Sequence, residues 1–208
     1  MLKKLANAGG RQVETGIAAQ EGWTLADHVN SSDTLSQITS SKWKYVVLQE
    51  QSEIPAIEQS RTAIMYPAAR FLASQIEGAG ALPVFFLTWA HRNGWPDFGL
   101  QGNQTMQFQI DSGYLGIAQE LSVPVAPVGY VWLLAQGQNS LLNLWQEDGS
   151  QPTEEGTYLA ACVFYGVIFQ QSPKGLTYQA GLTKEPATFL QQIAGTTVLD
   201  NAALWNLH

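Results

Sequence analysis

Asp148, Gly149, Ser150, Gln151 and Pro152 stand just before the most apolar stretch of the chain, Tyr158 to Phe169. An acidic residue, a turn pair and a proline at the mouth of a buried helix hold polar side chains rigidly at the edge of a core. That placement suits a catalytic site. It equally suits a plain turn and helix cap, because Asp-Gly is a common turn pair. A second polar cluster is Gln49, Glu50, Gln51 and Ser52, at the end of the apolar run Lys44–Gln49. An amide donor and a hydroxyl at a strand end can line a pocket; the plain alternative is a polar loop between strand and helix. His91 follows Trp89 and Ala90 at the end of another apolar run. His28 is expected on a short helix, and His208 is expected to be disordered at the terminus. His28 or His91 could serve as a base; the plain alternative is a hydrogen-bonded or solvent-facing ring.

Four runs read as strands: Gln12–Ala18, Lys44–Gln49, Leu82–Trp89 and Val123–Gly129. The middle two are apolar on consecutive residues, as strands covered on both faces must be. Helical segments lie between them. Asp33 is a candidate N-cap for the first. The segment from Gln59 to Gly78 carries Ile64, Ala68, Phe71, Leu72 and Ile76 at helical spacing, with Pro67 expected to kink it or mark a restart. A third helix is expected from Gln104 to Leu121 and a fourth up to Phe169. Two peripheral helices are expected over residues 171–208. Strand alternating with helix predicts one α/β domain over residues 1–208, with a parallel sheet and helices on both faces. In such sheets ligands bind beyond the carboxyl ends of the strands. That singles out Gly22, Gln49 to Ser52, Trp89 to Asn93, and the segment before the helix that ends at Phe169.

Composition narrows the function. At 208 residues the chain is long enough for a full core. Its ten Lys and Arg form no run and the net charge is −7, so no nucleic-acid partner is expected. The longest apolar run falls well short of the ~20 residues of a spanning helix, so no membrane span is expected. The start, Met1 to Gly10, is too short in apolar residues for a signal peptide. It reads as the end of an amphipathic helix, with Leu2, Leu5 and Ala6 on one face and Gly9-Gly10 as the stop. The single cysteine, Cys162, excludes an intrachain disulfide and reads as a small buried filler. No His, Cys or carboxylate set has metal-ligand spacing, so no metal is expected. Gly78-Ala79-Gly80 precedes a strand rather than following one, so no dinucleotide loop and no cofactor is expected. The compartment is left open.

The turn Asp148-Gly149-Ser150-Gln151-Pro152, followed by Gly156 and Tyr158-Leu159-Ala160-Ala161, resembles the last block of the SGNH (GDSL-like) hydrolases, Asp-x-x-His-Pro before a long helix. Gly22-Trp23-Thr24 resembles the second block of that family, whose glycine N–H donates to an oxyanion. Tyr45-Val46-Val47-Leu48-Gln49-Glu50-Gln51-Ser52, with Thr88-Trp89 further on, resembles an uncharacterised branch carrying Leu-Gln-Glu-Gln-Ser and Thr-Trp motifs. The resemblance runs from about Met1 to Phe169. It implies a three-layer α/β/α sandwich with a flavodoxin-like parallel sheet. It implies that Asp148 would orient the base, that position 151 would hold it, and that Gly22 and Gln51 would donate to the oxyanion. Gln49, Ser52, Trp89 and His91 would line the substrate pocket.

Two departures weigh on activity. The base position holds Gln151, an amide that cannot take a proton. The family's first block, a strand ending in Gly-Asp-Ser or Gly-Asn-Ser, has no counterpart; the sequence opens inside the helix that follows it, as a truncated chain would. The resemblance therefore implies an esterase-type domain acting on a small ester or acylated carbohydrate, inactive in this form. The alternative is a non-catalytic small-molecule or carbohydrate-binding protein using the same cleft. Trp23, Trp89 and Trp95 are expected near the strand ends, and Trp43, Trp132, Trp145 and Trp205 in packing roles. The family's first strand lies between its second and third, so its loss would leave sheet edges exposed and favour a homodimer.

Overall fold

The computed structural model describes residues 1–40 and 42–207; His208 lies outside the described residues. The chain runs through α1 (Leu2–Ala8), α2 (Leu25–Val29), α3 (Ser32–Ser40), β1 (Tyr45–Leu48), α4 (Glu53–Ala56) and α5 (Glu58–Ser60). It continues through α6 (Tyr66–Gly78), β2 (Leu82–Phe86), a hairpin of β3 (Gly94–Trp95) and β4 (Leu100–Gln101), and α7 (Gly102–Leu121). The remaining elements are β5 (Val125–Ala126), α8 (Val128–Gln138), α9 (Glu154–Phe169) and α10 (Lys184–Leu199), followed by a short 3-10 helix at Ala202–Trp205.

The central sheet is parallel, in the order β1-β2-β5. Tyr45 pairs with Leu82 and Leu48 with Phe85; Phe85 also pairs with Val125. Side chains alternate faces along a strand, and β2 shows the consequence. Val84 enters the core built from α1, α8, α9 and α10, whereas Phe85 and Leu87 enter the core built from α2, α3, α6 and α7. All three have no exposed surface, which is why this run is apolar on consecutive residues. Full burial of a side chain such as Phe85 contributes about 2–3 kcal/mol. Helices on both faces of a parallel sheet make the expected α/β/α sandwich.

Three of the four expected strands form. The run Gln12–Ala18 does not: no residue from 11 to 20 is in a strand, and Ile17 is 82% exposed. Val13, Thr15 and Ile17 alternate as strand residues do, but a strand also needs a neighbour to accept its hydrogen bonds, and none of the described strands lies beside this segment. The segment instead passes over Trp43, close enough that a Cβ on Gly16 would meet the indole at 2.8 Å. β1 is one of the two edge strands of this sheet, and Val47 is 42% exposed.

Other local differences have simple causes. The N-cap role expected of Asp33 falls to Ser31, whose hydroxyl accepts from Thr34 N at 3.2 Å; Asp33 lies in the first turn of α3. Pro67 does mark a restart: a π-helical turn at Arg61–Met65 directly precedes α6, and Pro67 sits in the first turn of α6. Of the two peripheral helices expected after Phe169, the first is the long α10 and the second is only a short 3-10 helix at Ala202–Trp205. Leu190, Ala194 and Val198 of α10 have no exposed surface and pack in the same core as α9.

Candidate functional site at the carboxyl edge of the sheet

The turn at residue 22 is built by glycine. Gly22 has φ 75, the left-handed region that other residues enter at a cost. Thr24 then caps α2: Asp27 N donates to Thr24 Oγ1 at 3.3 Å, and Thr24 N donates to Asp27 Oδ2 at 2.8 Å. This reciprocal box fixes the turn. The Thr24 N–H, its hydroxyl and the nearby His28 together hold the Asp27 carboxyl below the usual range. His28 lies on α2, with Nδ1 3.0 Å from Thr34 Oγ1 and its ring edge-on to Trp23.

Glu50 joins this turn to the end of β1. It has no exposed surface. Its Oε1 accepts from Leu25 N at 3.1 Å and from Gln51 N at 2.8 Å, while its own N–H donates to Tyr114 Oη at 2.9 Å. Oε2 has no partner. Burial pushes the carboxyl up to about 7, against the pull of the Gln51 and Leu25 N–H groups. Gln51 is half-buried; its Oε1 accepts from Glu53 N at 2.8 Å, which leaves Nε2 as a donor. Gln49 is exposed. Ser52 precedes α4 without capping it, and its Oγ lies 3.5 Å from His91 Nε2.

His91 is carried on a segment held from behind by Gln107. That buried amide accepts from Ala90 N at 2.8 Å and donates to Thr88 O at 3.2 Å and to Asp111 Oδ1 at 2.8 Å. Burial raises the Asp111 carboxyl to about 6, offset by the Gln107 donor. His91 O accepts from Asn103 Nδ2 and from Gly94 N, both at 3.0 Å. Trp89 is half-buried; it stacks on Trp132 with centroids 4.3 Å apart and planes 8° from parallel, and its Nε1 donates to Ser150 O at 2.9 Å. One face of its ring is therefore covered. Trp132, Trp145 and Trp205 are buried, as expected of packing residues, and Trp95 lies on β3 against Phe98.

The turn before α9 closes on itself. Asp148 Oδ1 accepts from Ser150 N at 2.8 Å and from Gln151 N at 2.9 Å. These two donors, then the charges of Arg92 and His91, hold Asp148 below the usual carboxyl range. Gln151 is exposed; its carbonyl accepts from Gln146 N at 2.8 Å. Arg92 binds the turn to the loop after β2: its N–H donates to Gly149 O at 2.8 Å and its guanidinium to Trp145 O and Gln146 O, both at 2.7 Å. Thr153 caps α9 by accepting from Gly156 N. The acidic residue, turn and proline before the apolar helix thus do the work of a turn and cap, beside the loop that carries His91.

Contacts run from segment to segment across the carboxyl edge: Leu25 to Glu50, Ser52 to His91, Arg92 to Gly149, Trp89 to Ser150. Among the described residues no hydrogen bond joins Gln51 to Gln151, and Gly22 reaches the others only through Leu25 and Glu50. Two open surface hollows lie elsewhere, one of 360 Å³ beside Lys3, Asn7 and Glu14 and one of 510 Å³ beside Lys184 and Phe189. Neither includes a residue of this edge, which is singled out by its side-chain chemistry. Glu50 is expected from sequence only as one member of the polar cluster Gln49 to Ser52, not as the group that ties it to the turn at Gly22, and Gln107 is not expected at the site at all. An acid directly after an apolar strand was the available signal for the first, and a glutamine between Met106 and Ile110 on an apolar helix face for the second.

Comparison with solved structures places the fold. The chain superimposes on a DUF4886 family protein from Bacteroides uniformis with a TM-score of 0.77, at 18% identity over 96% of this chain and 88% of that one. It superimposes on a protein described as a putative SGNH hydrolase from Slackia heliotrinireducens with a TM-score of 0.66, at 25% identity over 80% of this chain and 90% of that one. The fold is SGNH-like. No protein-family model matches the chain, and no curated protein matches its sequence.

Proposed function

We propose that this chain is an esterase-type domain of SGNH-like fold that takes a small ester or acylated carbohydrate at the carboxyl edge of β1 and β2. The observation that carries the reading is the meeting of the Ser52, His91 and Gly149 segments at that edge, through the Ser52–His91 and Arg92–Gly149 contacts. The Gly22 N–H and the Gln51 Nε2 amide are the donors for a carbonyl oxygen as negative charge develops on it. Gln151 occupies the place of the base in the SGNH pattern, and an amide takes no proton, so no turnover runs through Asp148 and Gln151. A binding role without turnover is the second reading. It is favoured by Asp148 Oδ1, whose capacity is taken by two backbone N–H groups.

The test is calorimetric titration of the protein with an acetamido sugar, an amide analogue of an acetylated one that resists hydrolysis. Saturable binding that weakens about tenfold in Gln51→Ala, the loss of roughly one hydrogen bond, supports the cleft. Absence of saturable binding, or binding indifferent to Gln51, overturns it.

A further inference from the structure

Ser52 and His91 are 39 residues apart in sequence, on the loops after β1 and β2, yet Ser52 Oγ lies 3.5 Å from His91 Nε2. Ser52 immediately precedes α4, where a serine hydroxyl commonly accepts from the helix's first N–H groups. Here it makes no such bond. The neighbouring Gln51 side chain takes the Glu53 N–H instead, and the Ser52 hydroxyl faces the imidazole.

Both partners sit on held backbone. On one side, Gln51 N is bound by Glu50. On the other, Ala90 N is bound by Gln107, His91 O by Asn103, and Arg92 N by Gly149. The imidazole and the hydroxyl are each half-buried. Asp148 is near enough to His91 for a charge on the imidazole to favour its carboxylate form. A hydroxyl and an imidazole within reach, with an amide donor next in sequence at Gln51, are the parts that acyl transfer needs. The long separation is normal for such a pair without substrate, since these bonds tighten when substrate binds.

We infer that Ser52 is a nucleophile and His91 its general base, forming a site for acyl transfer from activated esters at the carboxyl edge of the sheet. The inference rests on the proposed ester cleft and goes beyond it, because it places proton transfer at residue 91 rather than at position 151. Ser52 Oγ bonds to the ester carbonyl carbon while its proton passes to His91 Nε2. The Gln51 amide holds the oxyanion. The carbonyl re-forms, the C–O bond to the alcohol breaks, and the alcohol leaves with the proton from His91. Water then attacks the acyl-serine, His91 takes its proton and returns it to Ser52 Oγ, and the acid departs.

The experiment treats the full chain with a fluorophosphonate probe, which bonds phosphorus to a serine oxygen with loss of fluoride. The adducted residue is mapped by peptide mass spectrometry. The expected result is one phosphonyl group on Ser52, absent in Ser52→Ala. In His91→Ala the labelling rate falls by about 100-fold, the scale of a lost general base, and added imidazole recovers part of it. A purely structural role for His91 would not give that rescue. Ser52→Cys is the second variant: iodoacetamide should alkylate its new thiol quickly, and His91→Ala should slow that reaction. Labelling that misses Ser52 in folded protein overturns the inference, as does labelling of Ser52 at the same rate without His91. Acetamido-sugar binding without Ser52 labelling would sink the dyad and leave the cleft. Labelling at Ser52 without that binding would support the dyad and sink the proposed ligand class.

Discussion

Leu25 N donates to Glu50 Oε1 over 3.1 Å, so one fully buried carboxyl ties the turn that begins at Gly22 to the end of β1. The pair lies 25 residues apart in sequence and inside the core, where hydrogen bonding is strong and an unpaired atom is costly. Glu50 Oε2 is such an atom, and protonation relieves it.

The first prediction follows from that proton. Glu50 rises from an ordinary 4.5 to about 7 on folding. A raised carboxyl contributes stability in full below its unfolded value and loses it as pH climbs through its folded value. Stability should therefore fall between about pH 4.5 and pH 7, by at most about 3 kcal/mol. Asp111, raised from 3.8 to about 6, acts with the same sign in a lower window. Thermal melts at pH 5 and pH 8 should show the higher midpoint at pH 5. Glu50→Gln should shrink the difference while the protein stays folded, because the amide oxygen still accepts from Leu25 and Gln51. An unchanged difference in Glu50→Gln would remove Glu50 as the cause.

Gln107→Ala should destabilise the protein by about 2–4 kcal/mol, because it leaves the buried Ala90 N–H and the Asp111 carboxyl without their partner. The urea midpoint should fall at constant slope. Thr88 O and Ala90 N flank the strand end that carries His91, so Ser52 labelling should slow as well. A wild-type midpoint would mean that water fills the place of the amide.

Two glycines of α8 should respond in opposite directions. A Cβ on Gly129 would lie 2.1 Å from Thr88 O and 2.4 Å from Gln107 Nε2, and the first of these atoms is backbone that cannot swing away. Gly129→Ala should cost about 3 kcal/mol or more, or yield insoluble protein. Gly137 meets nothing within 4 Å, so Gly137→Ala should add up to about 1 kcal/mol by lowering unfolded-chain entropy. Chemical denaturation of the two variants reads both signs, and equal effects would contradict the packing at Gly129.

Gln151→His should leave hydrolysis of an activated acetate ester within about twofold of the parent. Residue 151 is exposed, and Asp148 Oδ1 is occupied by the backbone of its own turn. A rise of a hundredfold on this change alone would return the base to position 151 and refute the assignment to His91.

The sequence exposes what is dictated locally. Val84 to Phe86 reads as a strand covered by helices, because consecutive apolar residues leave no face for water; Val46 to Leu48 reads the same way and is a strand, but at the sheet edge Val47 stays 42% exposed. The spacing of Ala68, Leu72 and Ile76 likewise needed only a helix to explain it. The segment Gln12–Ala18 carries the same kind of alternation and is not a strand, since that status depends on a neighbour and no local signal supplies one. The stretch Val128–Gln138 is not legible as a helix because it is apolar nearly all round, and a helix buried on most sides has little polar face to reveal its period. The hairpin at Gly94–Gln101 is too short to show alternation. At the site, the turn around Asp148 was readable from Asp-Gly and Pro152. The inward carboxyl of Glu50 and the approach of Ser52 to His91 were not, because each depends on a partner far along the chain.

The near-parallel stack of Trp89 on Trp132, 4.3 Å apart, has an optical consequence. Two indoles so close share their excited states, and the sharing depends steeply on mutual distance and tilt. Trp89 is also fastened to Ser150, so movement of the turn before α9 is transmitted to one partner of the pair. The chain therefore carries its own label-free sensor of the carboxyl edge, readable in circular dichroism while ligand is added, with Trp132→Phe as the blank.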